Sequence, residues 1–194
     1  RGLGDVYKRQ DSYFSMAAFD DMYQQVVTVN GVSKSFAMTG WRLGYIGAPE
    51  WIAKACTKIQ GQFTSGASSI SQRAALAAVS SSPNVILPMK EAFLERRNFM
   101  LKELRNIKGI KINEPKGAFY LFPDVSELFG QHFDEKTINN ADDLCLFLLE
   151  EAKVALVTGN AFGSPNCIRI SYAASMEQLK EAVYRIKSAI SQLN

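Results

Sequence analysis

The sequence predicts an α/β protein, because short apolar runs typical of strands alternate with longer segments of helical periodicity. The β-branched run at residues 25–30 has the composition of a strand. Residues 89–107 predict a long amphipathic helix, with apolar side chains near helical spacing at Phe93, Leu94, Met100, Leu101 and Leu104. With 194 residues and 47% apolar content, the chain is long enough for one or two domains with cores of their own.

The elements expected in the first half of the chain follow from its turn signals and apolar runs. Residues 11–24 are expected to be loop with a short helical piece. Residues 42–48 are apolar and bounded by glycine, which predicts a buried strand. A helix opened by Pro49 spans residues 49–61, and a break is expected at Ser65-Gly66. An Ala-rich helix at residues 68–81 is expected to pack tightly, before Pro83 and Pro88 interrupt the chain.

The long helix at residues 89–107 marks the expected boundary between two domains. Beyond it, strands are expected at residues 110–112, 118–122, 154–157 and 167–172. Residues 126–139 are polar and predict a loop. Two further helices are expected at residues 140–153 and 175–193, the second with Ser175 as its N-cap.

Charge and composition argue against several classes of function. The net charge is +3, and no basic run stands out apart from Arg96-Arg97, so neither a nucleic-acid nor a membrane partner is expected. No apolar stretch approaches the roughly 18 residues of a membrane-spanning helix. No signal peptide is recognised, and the odd, scattered cysteines Cys56, Cys145 and Cys167 are expected to be reduced, which predicts a cytoplasmic location.

Two further features are expected to carry no function. The single histidine, His132, is predicted to be an exposed loop residue, and without a second histidine no histidine-based metal site or catalytic triad is expected. Residues 1–10 show neither alternation nor a helical stripe. They are expected to be a non-native segment or a truncation point.

Residues 31–44 give the most direct indication of function. Lys34 follows the predicted strand at residues 25–30, has small residues on both sides, and precedes Arg42 by eight positions. A lysine amine that burial and a nearby cation keep partly neutral can condense with an aldehyde. An arginine fork binds phosphate, and the hydroxyl of Ser33 can donate to the same group. The pattern therefore suits a cofactor that carries both an aldehyde and a phosphate.

Two other interpretations of residues 31–44 compete with a cofactor site. A lone lysine is more often a solvated surface residue. A nucleotide P-loop is excluded, because it needs glycine at the positions that Ser33 and Thr28 occupy. The glycines at positions 31, 40 and 44 are expected to permit close backbone approach or positive φ.

Arg169 lies in the middle of the predicted strand at residues 167–172. A charge there is costly unless a carboxylate or a phosphate pairs with it. The partner is either an acidic side chain of the same chain or a bound ligand, and the residues alone leave both open.

Both segments resemble class-I pyridoxal-phosphate (PLP) dependent aminotransferases, in particular the bacterial aspartate aminotransferase-like subgroup. The first carries Ser-Lys-x-Phe-Ala-Met-Thr-Gly-Trp-Arg, and the second resembles Pro-Gly-x-x-Phe-Gly followed by Arg-apolar-Ser-Tyr. The resemblance implies that Lys34 forms a Schiff base with PLP and that Ser33 and Arg42 bind its phosphate. It also implies that Arg169 binds the substrate α-carboxylate. Thr158 stands where the family has proline, which should alter loop stiffness more than chemistry.

The resemblance covers about residues 20–194 and implies the PLP-dependent transferase fold of type I, as a partial large domain plus a complete small α+β domain. Residues 11–84 would be the C-terminal part of the large PLP-binding domain, and residues 85–194 the small C-terminal domain. Only the C-terminal half of a family enzyme is represented. The ring-stacking aromatic, the pyridine-nitrogen Asp and their companions would lie in the other half, and the full-length protein is expected to be a homodimer.

Two weaker matches accompany these segments. Residues 116–120 resemble the family's Gly-Ala-Phe-Tyr strand near the substrate, although a glycine that starts a strand in a crowded place explains them equally well. Residues 62–65 resemble a segment that reaches the cofactor phosphate near the dimer interface.

The function implied is transamination between an L-amino acid, aspartate first among them, and a 2-oxo acid such as 2-oxoglutarate. Another fold-type-I enzyme, such as a lyase or a different aminotransferase, remains an alternative. So does an inactive fragment or an effector-sensing module. The fragment alone is expected to be inactive, because its pyridine-nitrogen carboxylate would be missing.

Overall fold

A computed structural model of the chain describes residues 15–19 and 21–194. The chain divides into two compact units. The first unit runs to Lys90 and includes Lys116–Ala118, and the second comprises Glu91–Pro115 and Phe119–Asn194. The expectation for residues 1–10 lies outside the described residues. No helix in the described part is both long enough and apolar enough to cross a membrane.

The first unit contains a two-stranded antiparallel ribbon of β1 (Thr28–Gly31) and β2 (Gly44–Gly47). The first strand was predicted to begin at residue 25, but Tyr23–Gln25 forms a 3-10 helix and pairing starts at Thr28. A second 3-10 helix, Met16–Ala18, begins at an N-cap serine. These two turns are the short helical pieces expected before the ribbon.

The strand β2 is exposed along its whole length, so the prediction of a buried strand at residues 42–48 is wrong. Its apolar side chains Tyr45 and Ile46 both lie in solvent. The apolar run correctly indicated a strand. A two-stranded ribbon gives each strand one neighbour, however, and cannot by itself cover both faces.

Two helices complete the first unit. The first, α1 (Glu50–Phe63), begins directly after Pro49, as predicted. The expected break follows at Ser65 and Gly66, both of which have positive φ. The second, α2 (Ser69–Val79), was expected to pack tightly, and this is wrong for most of its length: Ser71 and Ala75 are its buried residues. Alanine content allows close packing but does not supply a surface to pack against.

The helix α3 (Leu87–Arg105) is confirmed within two residues of its predicted bounds. Pro88 lies in its first turn, where the missing N–H has no intrahelical partner to lose. The division between the two units falls inside this helix, after Lys90. In the second unit its predicted apolar stripe is buried at Phe93, Met100, Leu101 and Leu104.

A three-stranded antiparallel sheet lies in the second unit, with the order β3 (Tyr120–Leu121), β7 (Ile168–Ser171) and β6 (Val157–Thr158). The strands predicted at residues 118–122 and 167–172 are confirmed in shortened form. The strand predicted at residues 154–157 is wrong for most of its length, because pairing begins only at Val157. The strand predicted at residues 110–112 is also wrong, and its Lys111 forms a single bridge with Asp124.

The segment at residues 126–139 contains a hairpin where the sequence predicted a loop. β4 (His132–Phe133) pairs with β5 (Lys136–Thr137) across a turn in which Asp134 has a φ of 50°. His132 is exposed, as predicted, but it belongs to a strand, and its Nδ1 lies 2.9 Å from Oγ1 of Thr137. Aspartate tolerates the left-handed turn, so polar residues can close a hairpin as well as form a loop.

The last two helices both begin at capping side chains, of which the sequence predicted the second. The side chain of Asn140 accepts a hydrogen bond from the N–H of Asp143 at the start of α4 (Ala141–Glu150). Ser175 and Gln178 form a capping box at the start of α5 (Met176–Ile190), as the sequence predicted. Both helices bury apolar faces in the core of the second unit, whose largest fully buried side chains include Met100, Leu104, Leu121, Leu128, Leu144, Leu148, Ile168, Tyr172 and Ile186.

Candidate active site

Lys34 and Arg42 lie at the same end of the β1–β2 ribbon. The last pair of the ribbon is Gly31 with Gly44. Lys34 follows this pair by three residues and Arg42 precedes it by two, so one loop carries both cations. Antiparallel pairing therefore places these two residues, eight positions apart in the sequence, at the same end of the ribbon.

The loop is anchored by one buried apolar side chain. Val32 is fully buried, and its carbonyl accepts a hydrogen bond from the N–H of Phe36 at 3.3 Å. The carbonyl of Lys34 accepts from the N–H of Ala37 at 3.2 Å, which closes a second turn. Ser33 is half-buried between them. This tight winding fixes the backbone from which the Lys34 side chain projects.

The side chain of Lys34 is exposed, whereas the sequence argument assumed burial. Burial depends on which other segments pack around the amine, and the local pattern of residues 31–44 does not specify them. Arg42 is exposed as well. It adopts left-handed backbone geometry, with φ 50° and ψ 50°, at the end of the 3-10 helix Thr39–Trp41.

One hydrogen bond to the backbone holds the guanidinium of Arg42. Its Nη1 donates to the carbonyl of Thr39 at 3.1 Å. In the part of the chain that the structure describes, this is the one hydrogen bond that the side chain makes, so most of its donors stay available. An exposed amine and an arginine fork at one end of a ribbon fit a ligand that carries an aldehyde and a phosphate. The residues present therefore fit PLP.

The three glycines of this loop do not share one role. An added Cβ at Gly44 would lie 3.3 Å from the carbonyl oxygen of Asn30, and one at Gly31 would lie 3.4 Å from that of Leu43. These two glycines allow close approach at the end of the ribbon, as expected. The expectation for Gly40 is wrong, because open space surrounds it and its φ is not positive.

Arg169 lies in the second unit, at the centre of its sheet. It occupies the middle strand β7 between Ile168 and Ile170, which are both buried, while the arginine itself is half-buried. Its guanidinium carbon lies 4.5 Å from the ring centroid of Tyr120 and 4.5 Å from that of Phe162. Among the described residues no carboxylate lies within 4.0 Å of this guanidinium.

The turn before β7 depends on a glycine that the sequence pattern had singled out. The N–H of Gly159 donates to the carbonyl of Cys167 at 2.7 Å, and its own carbonyl accepts from the N–H of Ser164 at 3.0 Å. A Cβ at this position would lie under 3.0 Å from both the Ser164 and the Cys167 carbonyl oxygens. Thr158 caps the following 3-10 helix, Gly159–Phe162, by accepting from the N–H of Asn160 at 3.2 Å. A proline would stiffen this turn through its ring, whereas Thr158 stabilises the turn through a side-chain cap.

Arg97 is a buried charge that the sequence argument overlooked. It is 3% exposed, its Nη1 donates to the carbonyl of Pro115 at 3.2 Å, and its Nη2 lies 3.3 Å from a carboxylate oxygen of Glu114. Its Nη2 also donates to Oδ1 of Asn98 at 2.9 Å. The signal was present, because residue 97 falls on the apolar stripe of α3, four positions after Phe93. These hydrogen bonds and the ion pair with Glu114 offset the cost of burying the Arg97 charge, so a structural role explains its burial.

The two weaker sequence matches take different forms in the structure. Ala118 has a φ of 61°, and the rings of Phe119 and Tyr120 are 4.2 Å apart between centroids, at the point where β3 begins. Residues 62–65 form the end of α1 and its break, and Phe63 is 83% exposed. The contacts expected of residues 62–65 with a cofactor phosphate remain a prediction.

The cysteines are free and differ in exposure. Cys56 is exposed, while Cys145 and Cys167 are half-buried. Burial, and then the charge of Asp142, raises the pKa of Cys145 to about 11. In residues 15–19 and 21–194, no group of three or more His, Cys, Asp or Glu side chains is arranged to hold a metal ion.

A family model for aminotransferases of class I and II matches residues 4–186 of the chain. The chain belongs to this family. Its relatives include the bifunctional aspartate aminotransferase and glutamate/aspartate-prephenate aminotransferase of Petunia hybrida, 52% identical over 183 residues, which cover 92% of this chain and 38% of the relative. The aspartate/prephenate aminotransferase of Nitrosomonas europaea is 44% identical over 176 residues, which cover 90% of this chain and 44% of the relative.

Solved structures of aminotransferases share the fold. The crystal structure of the aspartate aminotransferase from Rhizobium meliloti matches all of this chain and 49% of its own, with a TM-score of 0.94 and 38% identity. That from Thermotoga maritima matches with a TM-score of 0.82 and 37% identity, covering 98% of this chain and 46% of its own. The predicted PLP-dependent transferase fold of type I is confirmed. This aminotransferase chain spans less than half the length of the curated relatives described here.

Proposed function

We propose that the protein to which these residues belong is a PLP-dependent aminotransferase that exchanges an amino group between L-aspartate and a 2-oxo acid such as 2-oxoglutarate. The observation that carries the proposal is the placement of Lys34 and Arg42 at one end of the ribbon, in a chain of this family. Aspartate is favoured because the Petunia, Nitrosomonas and Rhizobium relatives all carry it in their names. The protein works as a homodimer in the cytoplasm.

The cofactor, when bound, supplies an electron sink that makes the Cα–H bond of a joined amino acid acidic. Arg42 and Ser33 hold its phosphate, Arg42 through a charge-assisted fork and Ser33 through its hydroxyl. Binding of the phosphate by these two residues would place the cofactor within the loop that also carries Lys34. The short loop that carries both cations supports these roles, phosphate binding by Arg42 and covalent attachment by Lys34.

Lys34 has two tasks. Its Nζ would hold the cofactor covalently through its aldehyde. The same amine, when free, would act as the base that takes the proton from the substrate Cα. A single flexible lysine can do both, because its amine moves on a four-carbon stem while the backbone of its turn stays fixed.

Arg169 binds the α-carboxylate that every amino-acid and 2-oxo-acid substrate carries. A guanidinium binds a carboxylate through two parallel hydrogen bonds, which orients the substrate as well as holding it. Two observations support this role: the central position of Arg169 in the sheet and the lack of a carboxylate near it among the described residues. Arg169→Lys in the full-length protein should retain the bound cofactor but reduce amino-acid turnover by orders of magnitude.

A second candidate substrate is prephenate. The Petunia and Nitrosomonas relatives are both named as prephenate aminotransferases as well as aspartate aminotransferases. Prephenate is itself a 2-oxo acid, so it presents the same carboxylate to Arg169. Turnover of aspartate with prephenate, compared with turnover of aspartate with 2-oxoglutarate, decides between the two acceptors.

The decisive experiment on the proposal uses Lys34→Ala in the full-length protein. Borohydride should attach the cofactor to a peptide that contains Lys34 in the wild type, and the visible absorbance of bound PLP should be lost in the variant. Lys54→Ala is the matched control, because Lys54 is also exposed but lies on α1, paired with Glu50. Labelling of a different lysine, or full turnover by Lys34→Ala, would refute the assignment. Uptake of PLP without any turnover would favour an effector-sensing module instead.

Residues 1–194 expressed alone should be inactive with aspartate, 2-oxoglutarate and added PLP. The first unit leaves large apolar side chains in water, among them Trp51, Phe63 and Ile70. Among the described residues the outer edges of its ribbon are unpaired, which favours association. The expected preparation is poorly soluble, and a soluble, active one would contradict this account.

A further inference from the structure

The guanidinium of Arg169 lies between two aromatic rings that come from opposite sides of its strand. Tyr120 belongs to β3, and Phe162 ends the 3-10 helix that follows β6, on the other side of β7. Both ring centroids are 4.5 Å from the guanidinium carbon. In the described part of the chain Tyr120 and Phe162 make no ring contact with each other, so they flank the cation rather than stack together.

The register of the sheet explains how Tyr120 reaches this position. Tyr120 is paired with Ser171, two residues beyond Arg169 on the same face of β7. Diagonal neighbours in an antiparallel pair are within reach of aromatic and long side chains. Tyr120 therefore approaches Arg169 because of strand pairing alone, without any special loop.

Phe162 is held in place by a neighbouring aromatic ring and by the turn that carries it. Its ring meets that of Phe122 edge-to-face, with centroids 6.0 Å apart and an interplanar angle of 84°. The 3-10 helix that carries it is fixed at its start by the Thr158 cap and the Gly159 hydrogen bond to Cys167. Phe162 is nonetheless 48% exposed, which is costly for a large apolar side chain with only a packing role.

We infer that Tyr120 and Phe162 are positioning residues that hold the Arg169 guanidinium so that its N–H edge meets the carboxylate of the substrate. The inference rests on the proposed function. Rings on two sides attract the cation through their faces and restrict its rotation. The open direction is then the edge of the guanidinium, where a planar carboxylate forms two parallel hydrogen bonds.

This arrangement makes a specific kinetic prediction. The rings act on the carboxylate group that amino acid and 2-oxo acid share, so removing a ring should raise the KM of both substrates by a similar factor. An arginine that is free to rotate loses more entropy on binding than one already held. Loss of one ring should raise each KM about 3- to 10-fold, in the range of a single cation–π contact. Uniform loss of binding leaves kcat largely unchanged.

The test measures both KM values and PLP affinity in the full-length enzyme. Phe162→Leu and Tyr120→Leu remove a ring, Tyr120→Phe keeps the ring and removes only the hydroxyl, and Tyr184→Leu is the control. Tyr184 is an exposed aromatic on α5. Should Phe162→Leu fail to fold, Phe162→Met supplies a side chain of similar volume without a ring.

The inference is supported if the ring-removing variants raise the KM of both substrates. Tyr120→Phe and Tyr184→Leu should keep KM values near those of the wild type. The affinity for PLP should be unchanged in all variants. Wild-type KM values in the ring-removing variants would overturn the inference. If Arg169→Lys loses turnover in the same assays, the proposed function stays intact. A fall in kcat or in PLP affinity without a change in KM would overturn the inference too, because that pattern indicates a general structural role. A wild-type protein without transaminase activity would refute the proposed function, and with it this inference.

Discussion

Gly159→Ala is the substitution whose effect can be derived most directly from the structure. Gly159 joins β6 to the turn that leads into β7, and its two backbone hydrogen bonds reach Cys167 and Ser164. A methyl group here would lie under 3.0 Å from two backbone carbonyl oxygens at once. Neither oxygen can move aside as a side chain would, so the whole turn must open.

The size of the destabilisation follows from the two hydrogen bonds that weaken and the strain that the methyl group adds. To relieve both overlaps, the Ser164 and the Cys167 backbone have to move away from position 159, which breaks or stretches both hydrogen bonds. Each bond contributes about 0.5–1.5 kcal/mol net, and the strain of an overfilled site adds about 1–3 kcal/mol. We expect the free energy of unfolding to fall by about 2–6 kcal/mol. Arg169 lies two residues beyond Cys167, and a displacement of about 1 Å at a substrate-orienting group costs about 100-fold in kcat/KM.

The assay compares thermal unfolding and kcat/KM of the full-length wild type and variant. Thr158→Pro is the matched control one residue earlier. Thr158 has a φ of −60°, which proline adopts, and it faces Ile168, whose N–H donates to Pro123 on the other side of the sheet. Position 158 is therefore a non-hydrogen-bonded site of the β6–β7 pair, and proline removes no bond between these strands. Wild-type stability and turnover in Gly159→Ala would refute this reasoning.

Three other outcomes are expected. Arg42→Ala should raise the dissociation constant of PLP about 30-fold, which is about 2 kcal/mol of lost phosphate binding, and unchanged affinity measured by absorbance titration would remove Arg42 from the phosphate site. The hydroxyl and the N–H of Ser126 lower the pKa of Asp124, so its contribution to stability is present above its ordinary pKa of 3.8 and is lost as the pH falls below that value. Asp124→Asn should accordingly lower the melting temperature at pH 6 and match the wild type more closely in strong acid. Because burial raises the pKa of Cys145 from 9.0 to about 11, its thiolate fraction at neutral pH is about 100-fold lower, and thiol reagents should modify it more slowly in the folded than in the unfolded protein.

Much of the site was predictable because its signals are local. The small residues around Lys34, the following arginine and the glycines at the end of the ribbon all lie within fourteen consecutive positions, residues 31–44. Helix caps such as Ser175 were likewise predictable, since a cap depends on residues three positions apart. Exposure was not predictable in the same way. The apolar run of β2 indicated a strand, but burial depends on what packs against it, and within residues 15–19 and 21–194 the strand has one neighbour.

The sequence by itself determined the fold class, the main helices and the candidate site residues, because periodicity, turn residues and short motifs act over a few positions. Only the tertiary structure decided the partners of those residues. The pairing of β3 with β7 places Tyr120 beside Arg169 across some fifty positions of sequence, and the turn at Gly159 brings Phe162 to its other side. The same holds for Arg97, whose place on an apolar stripe made sense only once the Pro115 carbonyl and the Glu114 carboxylate were found beside it. Contacts of this kind depend on strand register and helix packing, which join distant segments and leave no trace in local composition.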